Sequence, residues 1–151
     1  MRISVPEILQ QVADAKPVDR AGVLKKYADN QMLKDVLELN FHPTVEFDLP
    51  PGNPPYKVNP QPIGLTDSNL YAEWRRIYLL IKGHPKRPAG IKRLQVENVY
   101  IQMLEGVHSD EAELMVALKD KQLAKRYKGL TEKVVREAFP TLLPAIPLEK
   151  P

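Results

Sequence analysis

Apolar side chains recur along this chain at the spacing of amphipathic helices, and that pattern predicts most of its secondary structure. Positions 5, 8, 9 and 12 are apolar, an i, i+3, i+4, i+7 series that predicts a first helix over residues 5–15. Asp19 stands where it can cap a second helix. A third helix follows the break at Asp29-Asn30, with apolar residues at positions 32, 33, 36 and 37, and ends where Pro43 forbids continuation.

The second half of the chain shows the same periodicity in four further stretches. They predict helices over residues 67–82, from Ile91 to a stop at Gly106, over residues 109–124, and from the turn at Gly129 to Pro140. Side-chain oxygens at positions 66–68 can cap the first of these helices. Trp74 and Tyr78 lie one helical turn apart on it, so we expect them to be core aromatics, with base-stacking platforms as the alternative.

A proline-rich segment separates the two groups of predicted helices. Seven of the fifteen prolines fall between positions 43 and 62, which excludes a helix or a central strand there. The alternating run 45–49 predicts a short extended strand. We expect the segment to wrap over the core, and a linker between two subdomains is the alternative. Its apolar anchors would be Phe47, Leu49, Tyr56, Val58 and Ile63.

These elements predict an all-α fold, a single orthogonal helical domain of about seven helices with a long proline-rich loop. A chain of 151 residues is of single-domain length, and its 43% apolar and 27% charged residues are ordinary for a globular protein. We expect one domain over residues 1–151. Its parts are N-terminal helices (1–41), the proline-rich wrap (42–65), C-terminal helices (66–140) and an extended tail packed on the core (141–151).

The sequence lacks the residues that several classes of chemistry require. Cysteine is absent, which excludes disulfides, thiol catalysis and thiolate metal sites. The three histidines are scattered, and no glycine-rich nucleotide-binding loop or paired catalytic acids occur. We therefore predict no enzyme activity, no metal and no cofactor. Without a long apolar run or a signal-peptide pattern, we expect a cytoplasmic protein with no membrane partner.

Positive charge is concentrated in two stretches, although the net charge is only +3. Residues 82–93 contain five basic side chains and no acid, and residues 119–136 contain seven basic side chains and two acids. Each stretch thus carries +5, and the remainder of the chain carries −7. We expect the two stretches to converge into a basic face that binds phosphates. Two solvated helix faces are the alternative interpretation.

The second stretch contains a sharper feature at Gly129, where free backbone amides of a helix start would lie beside basic side chains. Such a helix mouth can hold an anion, and an ordinary helix start is the alternative. The candidate nucleic-acid-binding residues are Lys86, Arg87, Lys92, Arg93, Lys125, Arg126, Lys128, Gly129, Leu130, Thr131 and Lys133.

The C-terminal part of the sequence carries a family resemblance. Residues 128–144, Lys-Gly-Leu-Thr-Glu-Lys-Val-Val-Arg-Glu-Ala-Phe-Pro-Thr-Leu-Leu-Pro, resemble the end of the helical N-terminal DNA-binding domain of ATP-dependent DNA ligases from T-even-type tailed phages. Residues 29–36 resemble an early helix of that domain. The whole chain is also similar to a small uncharacterised protein family from T-even-like phages of cyanobacteria. No Lys-x-Asp-Gly nucleotidyl-acceptor motif occurs, so we expect no ligase activity from this chain.

The ligase resemblance implies that Gly129, Leu130 and Thr131 present backbone amides to a phosphate, with charge supplied by Lys128 and Lys133. Together with the basic stretches, it leads us to expect a non-catalytic phage accessory protein that binds duplex DNA through the sugar-phosphate backbone, with little base readout. Its setting would be the cytoplasm of the infected host cell. The alternative is a protein-interaction module that docks on a phage or host protein, or on a virion component.

Overall fold

A computed structural model describes residues 3–144, which fold into an all-α structure. The α-helices in this part of the chain are α1 (Val5–Asp14), α2 (Arg20–Lys25), α3 (Gln31–Phe41), α4 (Leu70–Glu73), α5 (Arg93–Gly106), α6 (Ser109–Lys119), α7 (Leu123–Arg126) and α8 (Glu132–Ala138). A short 3₁₀ segment at Pro17–Asp19 precedes α2, and another at Trp74–Leu80 follows α4. No helix in this part of the chain is long and apolar enough to cross a membrane.

The predicted first and third helices are confirmed, and both begin at capping residues. Ser4 and Glu7 form a capping box at the start of α1, where Pro6 occupies the first turn. Asn30 Oδ1 accepts from the N–H of Leu33 at 3.1 Å and caps α3. The second helix ends at Lys25, four residues before the predicted break at Asp29-Asn30, and Asp19 makes no side-chain capping bond to it.

The predicted helix over residues 67–82 is wrong at both ends. The N–H of Ser68 donates to the carbonyl of Gly106 at the end of α5. Asn69 has an extended backbone (φ −137°, ψ 162°), so the helix begins only at Leu70. Asn69 caps the true start, its Oδ1 accepting from Ala72 N–H at 2.9 Å. After four α-helical residues the backbone tightens into the 3₁₀ segment, which ends at Leu80.

A buried carboxylate joins the start of α4 to the start of α6. Glu111 Oε1 accepts from the N–H of Leu70 at 3.2 Å, and the carboxylate also accepts from the backbone of His108, the residue that caps α6. Glu111 is buried, and this burial raises the pKa of its carboxyl group. The carboxylate of Glu111 therefore accepts backbone hydrogen bonds at the starts of both α4 and α6.

The predicted helix over residues 109–124 is interrupted after Lys119. Lys121 adopts a left-handed backbone conformation with φ 57°, which ends α6. The buried side chain of Asn40 then accepts from the N–H of Leu123 at 3.2 Å and fixes the start of α7. The interruption depends on a residue of α3, which is distant in sequence.

The proline-rich segment wraps the core only in its first half. Phe47 is buried, and Leu49 and Tyr56 are half-buried, as predicted. Val58 and Ile63 are exposed, so their predicted role as anchors is wrong. The predicted strand is reduced to one isolated antiparallel bridge between Phe47 and Ile81, flanked by the hydrogen bonds Asp48 N–H to Leu80 O and Lys82 N–H to Glu46 O.

One hydrophobic cluster unites the N-terminal and C-terminal helices. Its buried members extend from Val5 of α1 through Leu37 of α3 and Met103 of α5 to Leu143, beyond α8. The beginning of the predicted tail therefore packs on the core, as expected, while residues 145–151 lie outside the described residues.

Candidate nucleic-acid interface

The basic loop over residues 82–93 is tied to the proline-rich segment by Asp48. Arg87 Nη2 lies 2.6 Å from Asp48 Oδ2, and Arg87 Nη1 donates to the carbonyl of Ile81 at 3.2 Å. Only 11% of the Arg87 side chain is exposed, so this cation bonds within the protein and is not available to a ligand. The hydrogen bond from Arg87 holds the pKa of the Asp48 carboxyl below its usual value.

Two other cations of this loop also have carboxylate partners. Arg93 lies 3.6 Å from Asp48 and 3.3 Å from Glu97, and Lys82 lies 3.4 Å from Glu46. Within residues 3–144, Lys86 and Lys92 have no carboxylate partner, and both are exposed. The loop therefore offers two free cations to a ligand rather than five.

Several cations of the second basic stretch also form ion pairs or hydrogen bonds with other groups of the protein. The buried Lys119 Nζ lies 2.9 Å from Asp120 Oδ1, and Lys121 Nζ donates to the carbonyl of His42. Arg136 lies 2.9 Å from Glu132. These contacts stabilise the ends of α6 and α8 and leave residues 125–133 as the accessible part of the stretch.

Within residues 125–133 the lysines are exposed, and Arg126 pairs with an acid. Arg126 Nη2 lies 2.6 Å from Glu113 Oε1. Lys125, Lys128 and Lys133 are exposed and have no carboxylate partner in the described part of the chain. These three lysines, like Lys86 and Lys92 of the basic loop, are sequence-predicted cations that are free to meet a ligand.

The predicted amide-lined helix mouth is partly occupied by the protein itself. Leu130 is fully buried, and its N–H donates to the carbonyl of Tyr127 at 3.0 Å. Thr131 Oγ1 accepts from the N–H of Val134 at 3.3 Å and caps α8, which is only seven residues long. Leu130 and Thr131 thus shape the turn, and phosphate binding by Gly129 stays a prediction.

An unexpected cation lies on this turn. Gly129 has φ 94°, and the guanidinium group of Arg20 occupies the space where a side chain would stand: a Cβ built on Gly129 would lie 2.6 Å from Arg20 Nε. Arg20 is half-buried and makes no hydrogen bond or ion pair with any other described residue. Arg20 belongs to α2, but its positive charge lies near the start of α8 and is not neutralised by any described carboxylate.

The contact belongs to a broader packing of α2 against α8, which we call the α2–α8 edge and define as residues 16–26 and 125–133. Each of these two segments has four basic side chains and one acid. Seven of the eight cations lack a carboxylate partner within residues 3–144. They are Lys16, Arg20, Lys25, Lys26, Lys125, Lys128 and Lys133.

Segment 16–26 was not among the sequence-predicted site residues, although its charge was visible in the sequence. Four cations against Asp19 give it a net charge of +3, the same as segment 125–133. The signal was weaker than that of the uninterrupted basic loop, and only the packing of α2 on α8 shows that the two segments are neighbours.

The candidate stacking aromatics have partners within the protein. Trp74 is half-buried, and its Nε1–H donates to Asp35 Oδ2 at 3.0 Å. Tyr78 is also half-buried, and its ring centroid lies 5.7 Å from that of His84. Trp74 packs against the hydrophobic core, whereas Tyr78 lies outside that cluster, so its expected place among the core aromatics is wrong. Within residues 3–144, no group of three or more acids or histidines is arranged to hold a metal ion.

Comparison with known proteins provides a family. The family model described as Family of unknown function (DUF6433) matches residues 8–125. The chain belongs to this family. The DUF6433 match includes α2 and the basic loop, and it ends before the turn at Gly129. No curated protein matches the chain significantly.

Proposed function

We propose that this DUF6433 protein binds duplex DNA non-catalytically through the sugar-phosphate backbone, and that the α2–α8 edge is the contact surface. The observation that carries the proposal is the packing together of two cationic segments whose charges are almost all uncompensated within residues 3–144. An arginine or lysine already paired with a carboxylate must give up that partner before it binds a phosphate. The unpaired cations of this edge require no such exchange.

Arg20 supports this choice of surface. A guanidinium group is a planar donor that binds phosphate oxygens through two parallel hydrogen bonds. The group packs against Gly129, the residue that follows Lys128, and so adds a second positive charge at this turn. The ligase resemblance of residues 128–144, which implies a contact between this turn and the DNA backbone, also supports the proposal.

The proposal includes little base-specific recognition. Helices α2 and α8 have six and seven residues, and neither carries a helix-turn-helix signature. Contacts to phosphates position a protein on the duplex without reading its sequence. The phage resemblance supplies the proposed setting, an accessory protein in the cytoplasm of an infected host cell.

The test is fluorescence anisotropy of a short labelled duplex titrated with the protein at about 50 mM salt. Wild-type protein is expected to bind duplexes of unrelated sequence with similar affinity. Lys128→Glu combined with Lys133→Glu is expected to lower the affinity by at least tenfold, since two phosphate contacts become two repulsions.

The matched control is Lys86→Glu combined with Lys92→Glu, which makes the same change in net charge on the basic loop. These two lysines are also exposed and also lack a carboxylate partner within residues 3–144. A smaller loss in the control than in the edge variant supports the assignment of the surface. Equal losses in both variants, or no binding by the wild type, would contradict it.

A second candidate function, a protein-interaction module, is favoured by exposed apolar side chains in the later part of the proline-rich segment. Val58 is 55% exposed, Ile63 is 41% exposed and Leu65 is 67% exposed. Single exposed apolar residues are common, but three within eight positions of an irregular segment offer a contact for a phage or host protein. Val58→Ser with Leu65→Ser would abolish such an interaction and leave DNA binding unchanged.

A further inference from the structure

A cavity of about 400 Å³ lies beside the starts of helices α1 and α4 and is bordered by the later part of the proline-rich segment. Side-chain oxygens belong to four buried or half-buried lining residues, which are Ser4, Thr66, Ser68 and Glu111. Ile63 adds apolar surface, and both polar and apolar atoms of the wall are open to solvent. An apolar cavity of about 150 Å³ accommodates benzene, so this cavity has room for a short alkyl chain.

The hydroxyl groups of this cavity donate their hydrogens to the protein itself. Thr66 Oγ1 donates to the carbonyl of Ser68 at 2.7 Å, and Ser68 Oγ donates to Glu73 Oε2 at 2.6 Å. Ser4 Oγ donates to Glu7 Oε1 at 2.7 Å. A hydroxyl has one hydrogen and two acceptor lone pairs, so these three groups offer a ligand acceptors rather than donors.

Two other polar side chains line the cavity. The hydroxyl of Tyr71 donates to the carbonyl of Ile3 at 2.6 Å. Asn69 Oδ1 accepts from the N–H of Ala72, which leaves the exposed NH₂ group of Asn69 as a side-chain donor. Acceptor oxygens therefore predominate among the side chains of the wall.

Two carboxylates at the cavity have no cation to compensate them. Glu111 lines the cavity, is 3% exposed and forms no ion pair with a lysine or arginine of the described chain. Glu7 forms none either, and it lies close enough to Glu111 to repel it. Glu73 is compensated, because Arg76 pairs with it and Arg75 also lies nearby. Charged groups that are buried in proteins are normally paired, so a cation suits this site.

The other charges at the cavity do not reverse this balance. His108 lies near Glu111, but its Nδ1 accepts a backbone hydrogen bond at 3.1 Å, so the ring is in a neutral form. The positive ends of α1 and α4 alone would favour an anion. Protein carboxylates already occupy both positions: Ser4 N–H donates to Glu7 at 3.2 Å, and Leu70 N–H donates to Glu111 at 3.2 Å.

We propose that this cavity binds a small organic cation that carries N–H donors, of the class of alkylammonium and alkylguanidinium ions. Such a cation has donors and no acceptor, which complements a wall of acceptor oxygens and uncompensated carboxylates. Its N–H groups donate to the hydroxyl oxygens of Thr66 and Ser68, and its charge compensates that of Glu111. The alkyl chain packs against Ile63, whose apolar surface suits an organic cation better than a bare metal ion. No lining residue belongs to the α2–α8 edge, so this proposal and the DNA-binding proposal can fail independently.

The experiment titrates n-butylammonium chloride into ¹⁵N-labelled protein and follows the backbone chemical shifts around the cavity by NMR. Thr66→Val replaces the hydroxyl by a methyl group of similar size. It is expected to weaken binding by about tenfold, because one hydrogen bond to a charged group is lost. Glu111→Gln keeps the shape of the side chain and removes its charge, and a loss of about tenfold is expected here too.

Each variant has a matched control outside the cavity. Thr44→Val removes a hydroxyl that is bonded to His42, and Glu113→Gln removes a carboxylate from the same helix as Glu111. Neither Thr44 nor Glu113 lines the cavity, so both controls are expected to bind n-butylammonium as wild type does. Circular dichroism confirms that all four variants fold.

Three compounds with the same alkyl chain test the chemical class. n-Butanol is uncharged, butyrate is negative, and butyltrimethylammonium keeps the positive charge but has no N–H group. Weaker binding of all three than of n-butylammonium supports the proposal. It is overturned if n-butylammonium fails to bind at millimolar concentration, if Thr66→Val and Glu111→Gln both bind it as wild type does, or if one of the three compounds binds as tightly.

A free amine and a lysine side chain of another protein present the same ammonium group. A tripeptide with blocked ends and a central lysine distinguishes these two sources. Tighter binding of the tripeptide than of n-butylammonium supports a cation site for a protein side chain. Weaker binding of the tripeptide supports a cation site for a free amine.

Discussion

Arg20 and Gly129 are in direct van der Waals contact, with the guanidinium group of Arg20 filling the volume that any side chain at position 129 would need. The relationship couples two short helices that are more than a hundred residues apart in sequence. Because Gly129 also has φ 94°, both its backbone conformation and its surroundings require glycine.

Gly129→Ala should therefore cost more stability than an alanine at another left-handed glycine. The backbone strain alone amounts to about 1–2 kcal/mol, and the contact with Arg20 adds to it. Gly90→Ala is the control, because Gly90 has φ 82° but nothing within 4 Å of a built Cβ. Urea unfolding measures both variants. Equal losses would show that the Arg20 contact is readily relieved.

Asp48→Asn should lower the free energy of unfolding by about 2 kcal/mol at neutral pH, because it removes the charge that Arg87 binds. The folded-state pKa of Asp48 lies below its unfolded value. The stabilisation is therefore complete above about pH 4 and is lost as the pH falls through the folded-state pKa.

Chemical denaturation over a pH series checks this prediction. The difference between wild type and Asp48→Asn should diminish at acidic pH. Glu46→Gln is the control, since its partner Lys82 is exposed and the pair should contribute little. A pH-independent difference for Asp48→Asn would exclude the ion pair as its cause.

The buried Glu111 predicts the opposite pH dependence. Its folded-state pKa is raised by burial, so the folded protein takes up a proton before the unfolded chain does. Wild-type stability should consequently rise relative to that of Glu111→Gln as the pH falls through the folded-state pKa of Glu111, until the unfolded chain also takes up its proton. Parallel pH profiles for the two proteins would show that Glu111 does not titrate differently on folding.

Glu111→Ala tests the other property of this residue, which is that its carboxylate accepts backbone hydrogen bonds at the starts of both α4 and α6. Alanine has no acceptor for the N–H of Leu70 or for the backbone of His108. A loss of about 2 kcal/mol is expected, the cost of removing two helix-capping interactions. Thermal unfolding at neutral pH measures the loss, and an unchanged melting temperature would mean that water replaces the carboxylate.

Salt dependence provides a fifth prediction, which concerns the number of phosphates bound. The slope of log K against log salt concentration is about −0.9 for each phosphate neutralised on duplex DNA. Replacing Lys128 and Lys133 by glutamine should therefore make the slope shallower by about 2. Glutamine at Lys86 and Lys92 should leave the slope unchanged if the basic loop lies outside the contact.

Local signals in the sequence were sufficient to predict α1 and α3. Each combines an apolar face at helical spacing with a residue that caps its first turn, and both properties are encoded within about ten residues. The all-α class follows from the same periodicity repeated along the chain.

The errors arose where distant residues decide local structure. Glu111 of α6 accepts from the N–H of Leu70 at the start of α4, and Asn40 of α3 accepts from the N–H of Leu123 at the start of α7 after the interruption at Lys121. Neither relationship leaves a signal in the sequence near the helix that it affects. Both helix starts therefore depend on acceptors supplied by the tertiary structure.

The sequence predicts which residues of the candidate site are cationic, but it does not predict which of those cations form ion pairs. Lys128 and Lys133 were correctly expected to be accessible, whereas the engagement of Arg87 by Asp48 joins residues 39 positions apart. The sequence also contained the charge of Arg20, but the contact of Arg20 with Gly129 depends on how α2 packs against α8. Which cations remain free is a property of the folded chain.

The bridge between Phe47 and Ile81 holds together the two ends of the chain segment between them, residues 48–80. The tip of this segment, residues 60–65, is exposed. A few amino acids can therefore be inserted or deleted at the tip while α5 keeps its place on the core. Because the closure entropy of a loop grows only slowly with its length, such insertions have a small energetic penalty. Length variation among DUF6433 proteins should therefore be concentrated at this tip.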